Sequence, residues 1–204
     1  MTNPALHIHL DPVGGIAGDM FVAAMLDAWP QLAEGTLAAV HSADISSEIR
    51  VAHIPFNDGI LSGSRFDVVG PIAPDTIGDR HHAPAADHDH GHEHAHIAWS
   101  DLRARLVDST LDQAVKIRAV AIFELLARAE ATVHATSPAA VTFHEVGAWD
   151  SVADIVAAAY IIEQLHPIGW SVGAIPLGGG RVRSARGLRA CRMAHHLLRH
   201  PRHP

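Results

Sequence analysis

The 204-residue chain has a single cysteine, Cys191, which excludes an internal disulfide and a cysteine-based zinc site. Such scarcity of thiols fits a reducing compartment, and a cytoplasmic location is expected. Aromatic residues make up only 5 % of the chain, and one lysine stands against 14 arginines. No run of 18 apolar residues is free of charge, which argues against a spanning helix. The stretch MTNPALHIHLDP has no basic segment followed by a long apolar one, so no signal peptide is read there. Acidic side chains are missing from residues 181–204, which carry seven arginines. Residues 1–180 therefore hold eight basic against 22 acidic side chains, a net of −14 hidden inside a formal charge of −7. A body so acidic repels nucleic acid and suits metal cations, or nucleotides that arrive with a metal.

Apolar residues form 48 % of the chain, enough for a packed core. Residues 6–10 (LHIHL) alternate apolar residues with histidine and read as a short strand. A Pro/Gly loop, DPVGGIAGDM, follows. From Gly18 to Trp29 the chain is apolar almost all round, which predicts a buried helix stopped by Pro30. A second helix is expected over 31–41. Residues 48–56 and 65–69 read as strands joined by a reversal at NDGILSGS. Residues 71–96 lack apolar periodicity and read as a long mobile loop. Ser100 opens a helix with Asp101 in its first turn. A longer helix is expected from about Leu111 to His134, with Val115, Ala119, Ile122, Leu126, Ala129 and Val133 on its apolar face and Ser137-Pro138 ending it. A last helix, about 151–165, precedes a returning strand at 170–175. The expected class is α/β or α+β, a mixed sheet with packed helices and a mobile histidine-rich loop. The regions are 1–70 (strand, glycine loop, helix and strands), 71–98 (histidine-rich loop), 99–180 (helices and return strand) and 181–204 (basic tail), with 1–180 as one domain.

Eighteen histidines are present, and seven lie between His81 and His96. His88, His90, His92, His94 and His96 alternate through HDHGHEHAH. In an extended segment they share one side; in a helix His88, His92 and His96 share one face. Either way several imidazoles converge on one cation, and imidazole suits nickel, zinc and copper. A solvated linker is the plain alternative.

Two further groups carry chemistry. Asp11, Gly14, Gly15, Gly18 and Asp19 occupy a strand-to-helix turn, where glycines let a ligand approach and the helix start offers free N–H groups. The segment has neither the dinucleotide fingerprint nor the Lys-Ser/Thr of a P-loop. Its two aspartates would repel a bare phosphate and tolerate one bridged by metal. A tight turn with Asp19 at the positive helix end is the structural alternative. His144, Glu145, Asp150 and Asp154 form the other group, and a carboxylate beside an imidazole binds metal or acts as a general base. Against this, Ser151-x-x-Asp154 matches a capping box. His41, His53, His134 and His166 read as surface or satisfied structural histidines.

Five segments in order, HLDPVGGIAGDMFVAAMLDA (9–28), the histidine-rich stretch (81–96), KIRAVAIFELLARAEATVH (116–134), FHEVGAWDSVADIV (143–156) and IPLGGGRVRSA (175–185), resemble the LarC family of nickel-insertion proteins. The resemblance implies insertion of Ni²⁺ into pyridinium-3,5-bisthiocarboxylic acid mononucleotide, the precursor of the nickel-pincer cofactor of lactate racemase. It also implies a CTP-dependent, chelatase-like step with Mn²⁺ or Mg²⁺, expected mainly through a C-terminal region that this chain lacks. Asp11, Asp19, His144, Glu145 and Asp150 gain weight as site residues. In this reading the histidines capture nickel, and Glu145 or His144 accepts the ring proton lost as carbon bonds to the metal. Expected partners are the precursor, a separately encoded or frame-shifted C-terminal half, apo lactate racemase and a second copy of the chain, with no nucleic acid and no membrane. After about Ala185 the resemblance stops, and the Arg/His-rich composition reads as a frame-shifted end. The rival functions are a nickel metallochaperone or store, and a metal-dependent nucleotide hydrolase using Asp11 and Asp19.

Overall fold

The computed structural model describes residues 6–13, 15–44, 49–69, 97–143, 149–175, 181–184 and 187–190. Strand β1 (His7–Leu10) leads through the glycine loop into α1 (Gly18–Ala28); a 3₁₀ turn at Pro30–Leu32 precedes α2 (Ala33–Ser42). A hairpin, β2 (Arg50–Asn57) and β3 (Ser62–Val69), follows. Next come β4 (Ile97–Ala98), α3 (Trp99–Asp108), α4 (Gln113–His134), β5 (Thr142–Phe143), α5 (Trp149–Leu165) and β6 (Gly169–Val172). A further pair, β7 (Arg181–Ser184) and β8 (Gly187–Ala190), lies in the region read from sequence as a basic tail. The class is α/β. Parallel and antiparallel pairings both occur, divided among four two-stranded ladders of the described residues. Among those residues no helix is long and apolar enough to cross a membrane.

Helix α5 is the centre of the packing. Val152, Ala153, Val156, Ala157, Ala159 and Ile161 are all fully buried, and α1, α2 and α4 pack around it. Its alanines let neighbouring helices approach closely, so shape as well as apolar area holds the core. Helix α1 buries only Val22, Ala23, Met25 and Leu26 and leaves Met20 half exposed, so it is covered on one side rather than all round.

Helix α4 departs from the expected stripe in the same way. Its buried positions are Val115, Ala119, Phe123, Ala127 and Ala131; Ile122, Leu126 and Ala129 are partly covered and Val133 is exposed. A strict step of four winds slowly round a helix of 3.6 residues per turn, and here it carries contact from the α3 side to α5. The helix begins on Asp112, whose carboxylate accepts the Ala114 N–H at 2.9 Å. It ends at Ala135, in the left-handed region at φ 51, before Ser137-Pro138 is reached.

The β2–β3 reversal is a four-residue loop, 58–61, in which Asp58 Oδ1 accepts the Ile60 and Leu61 N–H groups and Asn57 Oδ1 accepts that of Gly59. These bonds hold the exposed Asp58 carboxyl below its usual range. They also let pairing start at Ser62, three residues earlier than the sequence pattern indicates. The short β4–β5 ladder, Ile97 with Phe143 and Ala98 with Thr142, is too brief to leave a periodic signal. Phe143 packs with Trp99 and Phe123 in an aromatic cluster, with ring centroids 5.7–6.1 Å apart.

Candidate functional site

Strand β1 pairs in parallel with β6, from His7 opposite Gly169 to Leu10 opposite Val172. Past the carboxyl end of this ladder the chain turns through 11–17 into α1, while α5 is the helix that leads back into β6. Crevices at the carboxyl ends of parallel strands are the usual ligand sites of α/β proteins. Val13 N–H bonds to the Asp11 carbonyl at 2.8 Å, and Gly15 takes φ +133, a conformation that side-chain-bearing residues avoid.

Two helices meet tightly here. A Cβ placed on Gly18 would lie 2.6 Å from Asp154 Oδ2 and 2.7 Å from its Cβ, so only glycine lets α1 begin against α5. Asp154 is the acid within an otherwise apolar run of the most buried helix. Its Oδ1 is out of contact with solvent and has no hydrogen-bond partner among the described residues. Burial, followed by the like charges of Asp19 and Asp150, pushes its pKa up to about 7; a backbone hydrogen bond from Asp19 opposes the rise. A carboxyl in that range gives or takes a proton at neutral pH.

Asp19 stands in the first turn of α1 and its Oδ1 accepts the Met20 N–H at 2.8 Å. Asp150 is the second residue of α5 and accepts the Ser151 N–H at 2.7 Å. Ser151 therefore lies inside the helix, and the capping box with Asp154 does not form. Asp11 is at the end of β1, where its Oδ1 would touch a Cβ on Gly173 at 3.1 Å. Asp19, Asp150 and Asp154 thus form one electrostatic group, with Asp11 beside the neighbouring strand end. Gly14, His144, Glu145, His88, His90, His92, His94 and His96 lie outside the described residues. Among the described residues no three His, Cys, Asp or Glu side chains are arranged to hold a metal ion. His53 is satisfied by Ser64 at 2.7 Å and Asp27 at 3.7 Å, and His134 by Glu130 at 3.2 Å, as expected of structural histidines. A surface cavity of about 510 Å³ beside Trp99 is lined by Arg103 and Arg128, whose charges Glu124 already engages.

The sequence groups Asp154 with His144, Glu145 and Asp150 as a candidate site residue; its burial and raised pKa come from the packing of α1 on α5. Its state is testable through stability. The folded carboxyl holds its proton up to about pH 7, while the unfolded one ionises near 3.8. Folding therefore takes up a proton between those values, and the stability falls as pH rises from about 4 through 7. Asp154→Asn is expected to stabilise the chain by about 1–2 kcal/mol at pH 8, allowing for solvent screening. The gain should shrink as pH approaches 4. Thermal melts at both ends check this; an equal gain at both would contradict a buried, titrating carboxyl.

A family model described as nickel insertion protein matches residues 8–191, reaching past Ala185. Curated relatives called pyridinium-3,5-bisthiocarboxylic acid mononucleotide nickel insertion protein include those of three organisms. That of Geobacillus kaustophilus is 37% identical over 191 residues, covering 89% of this chain and 41% of its own. That of Akkermansia muciniphila is 35% identical, covering 87% and 40%. That of Staphylococcus epidermidis is 32% identical, covering 89% and 40%. The chain thus spans about two fifths of the length of these relatives. No solved structure matches it.

Proposed function

The chain belongs to the nickel insertion protein family, and we propose that it acts in inserting Ni²⁺ into pyridinium-3,5-bisthiocarboxylic acid mononucleotide. Nickel and the mononucleotide are its substrates in this reading, and the product serves apo lactate racemase. The observation that carries the proposal is the match of residues 8–191 to the nickel insertion family; the carboxyl of Asp154, packed against Gly18 where α1 and α5 meet, adds a candidate base. Insertion exchanges a ring C–H bond for a Ni–C bond. The electron pair of the C–H bond passes to the bond with nickel, and the proton must leave to a base. Asp154 has the proton affinity for that task. His144 and Glu145 follow Phe143 directly in the chain and are the other acceptors.

The histidines of 88–96 gather nickel and deliver it to this acidic edge. Support for delivery comes from the β4–β5 ladder. It pairs Ile97, which follows His96 in the chain, with Phe143, which precedes His144. Asp11, Gly14, Gly15, Gly18 and Asp19 bind the mononucleotide where β1 turns into α1. The described residues do not supply a ligand set for the Mn²⁺ or Mg²⁺ expected with CTP, so no step is routed through either. The scarcity of cysteine suits a cytoplasmic setting.

The test mixes the chain with nickel, CTP, the precursor and the portion of a relative that it does not cover, and reads activation of apo lactate racemase. Asp154→Asn and Glu145→Gln should each depress activation, and loss of residues 81–96 should be overcome by excess nickel. Full activation with both acids replaced would overturn the proposal. Failure of nickel to rescue the deletion would favour a metallochaperone or store.

A further inference from the structure

One face of the β1–β6 ladder is not covered by the helices. Ile8 is buried, and Trp170 beside it, though 38% exposed, meets Phe21 of α1 at 6.1 Å, so this pair of positions lies on the helix side of the ladder. The alternate positions, His7 and His9 on β1 with Gly169 and Ser171 on β6, face the other way. His7 and His9 are exposed. Their rings nevertheless converge. Ser171 Oγ lies 3.0 Å from His7 Nε2 and 2.8 Å from His9 Nδ1. The two nitrogens are therefore no more than 5.8 Å apart, the sum of those distances.

The strand opposite is cut to fit. A Cβ on Gly169 would lie 2.9 Å from His7 Nδ1, so glycine is what lets the ring lie across β6. A hydroxyl has one proton to give, so it donates to one of two neutral rings and accepts from the other. Two imidazole nitrogens aimed at one point are also the start of a metal site. Bonds of about 2.0–2.1 Å place such nitrogens up to about 4 Å apart, within a small side-chain rotation of the observed pair. Asp11 continues the same row toward the acidic edge, without completing a three-ligand set.

We propose that His7 and His9 form a two-imidazole docking site for a divalent late transition metal on the outer face of this ladder. That the metal is nickel rests on the function proposed above; the site itself rests on the geometry. Two protein ligands leave the remaining coordination positions to water or to an incoming ligand. The bound ion stays exchangeable.

The experiment labels histidines of the full chain with diethyl pyrocarbonate, with and without Ni²⁺, and locates the adducts by mass spectrometry. His7 and His9 should be protected together. His9→Asn should abolish protection of His7 at the same nickel concentration, and Gly169→Ala should raise the concentration needed at least tenfold. Since both histidines are exposed, the variants should keep the far-ultraviolet dichroism of the parent. Labelling of His7 that ignores nickel, or protection of His7 that survives His9→Asn, would overturn the pair. Neither readout involves the mononucleotide. The docking site can thus fail while cofactor assembly stands, and the reverse.

Discussion

Phe123→Ala is expected to destabilise the chain by about 3–5 kcal/mol, as for other buried aromatic truncations. Phe123 is fully buried, stacked on Trp99 at 5.7 Å and tilted against Phe143 at 6.0 Å. The three rings come from α4, the first residue of α3 and β5. Removing Phe123 from this triangle opens a void that the two remaining rigid rings cannot fill. The consequence reaches the function because β4–β5 has only two residue pairs and cannot persist alone. Its Trp99 N–H bond to the Val141 carbonyl, 2.9 Å, is held by the same cluster. A urea titration should show the loss of stability. Phe123→Leu, which keeps most of the volume, should cost much less. A cost below 1 kcal/mol for the alanine variant would mean that the cluster does not support the ladder.

Gly18→Ala is the second large effect, expected to cost about 3 kcal/mol, the upper part of the range for overpacking. The conflict at 2.7 Å is with Asp154 Cβ, an atom that no rotation of the side chain removes, so α1 and α5 must part. Alanine would otherwise favour the helix, which makes a loss diagnostic of the contact. Parting the helices also admits water to Asp154. The pH dependence of stability between about 4 and 7 should therefore flatten in this variant. Asp154→Gly removes the offending Cβ, and combining it with Gly18→Ala should recover part of the loss. A double variant no better than the sum of the singles would show that the strain lies elsewhere.

The local elements were readable because their causes are local. Pro30 and the Gly-rich turn mark the ends of α1, the Asn-Asp-Gly sequence marks the β2–β3 reversal, and apolar spacing marks α4 and α5. Errors fell where packing partners chose among faces. The α4 stripe runs through Phe123, Ala127 and Ala131 because α3, β5 and α5 lie there; nothing within the helix itself decides this. The β4–β5 ladder was missed because two residue pairs cannot express a period. Of the candidate site, the acids at Asp11, Asp19 and Asp150 were legible as charges beside glycines and a helix start. His7 and His9 were visible only as the polar half of an alternating strand.

The residue order alone determined a mixed helix-and-strand fold, left open between α/β and α+β, the acidic body with its histidine-rich stretch and the resemblance to nickel-insertion proteins. Those properties depend on composition, on periods of two and 3.6, and on short motifs. Tertiary structure alone decided that Asp154 holds its proton to about pH 7 and that His7 and His9 share Ser171, more than 160 residues away along the chain. Desolvation and the meeting of side chains depend on which distant segments pack together. Here it is the parallel pairing of β1 with β6 and the contact of α1 with α5 that bring these groups into reach.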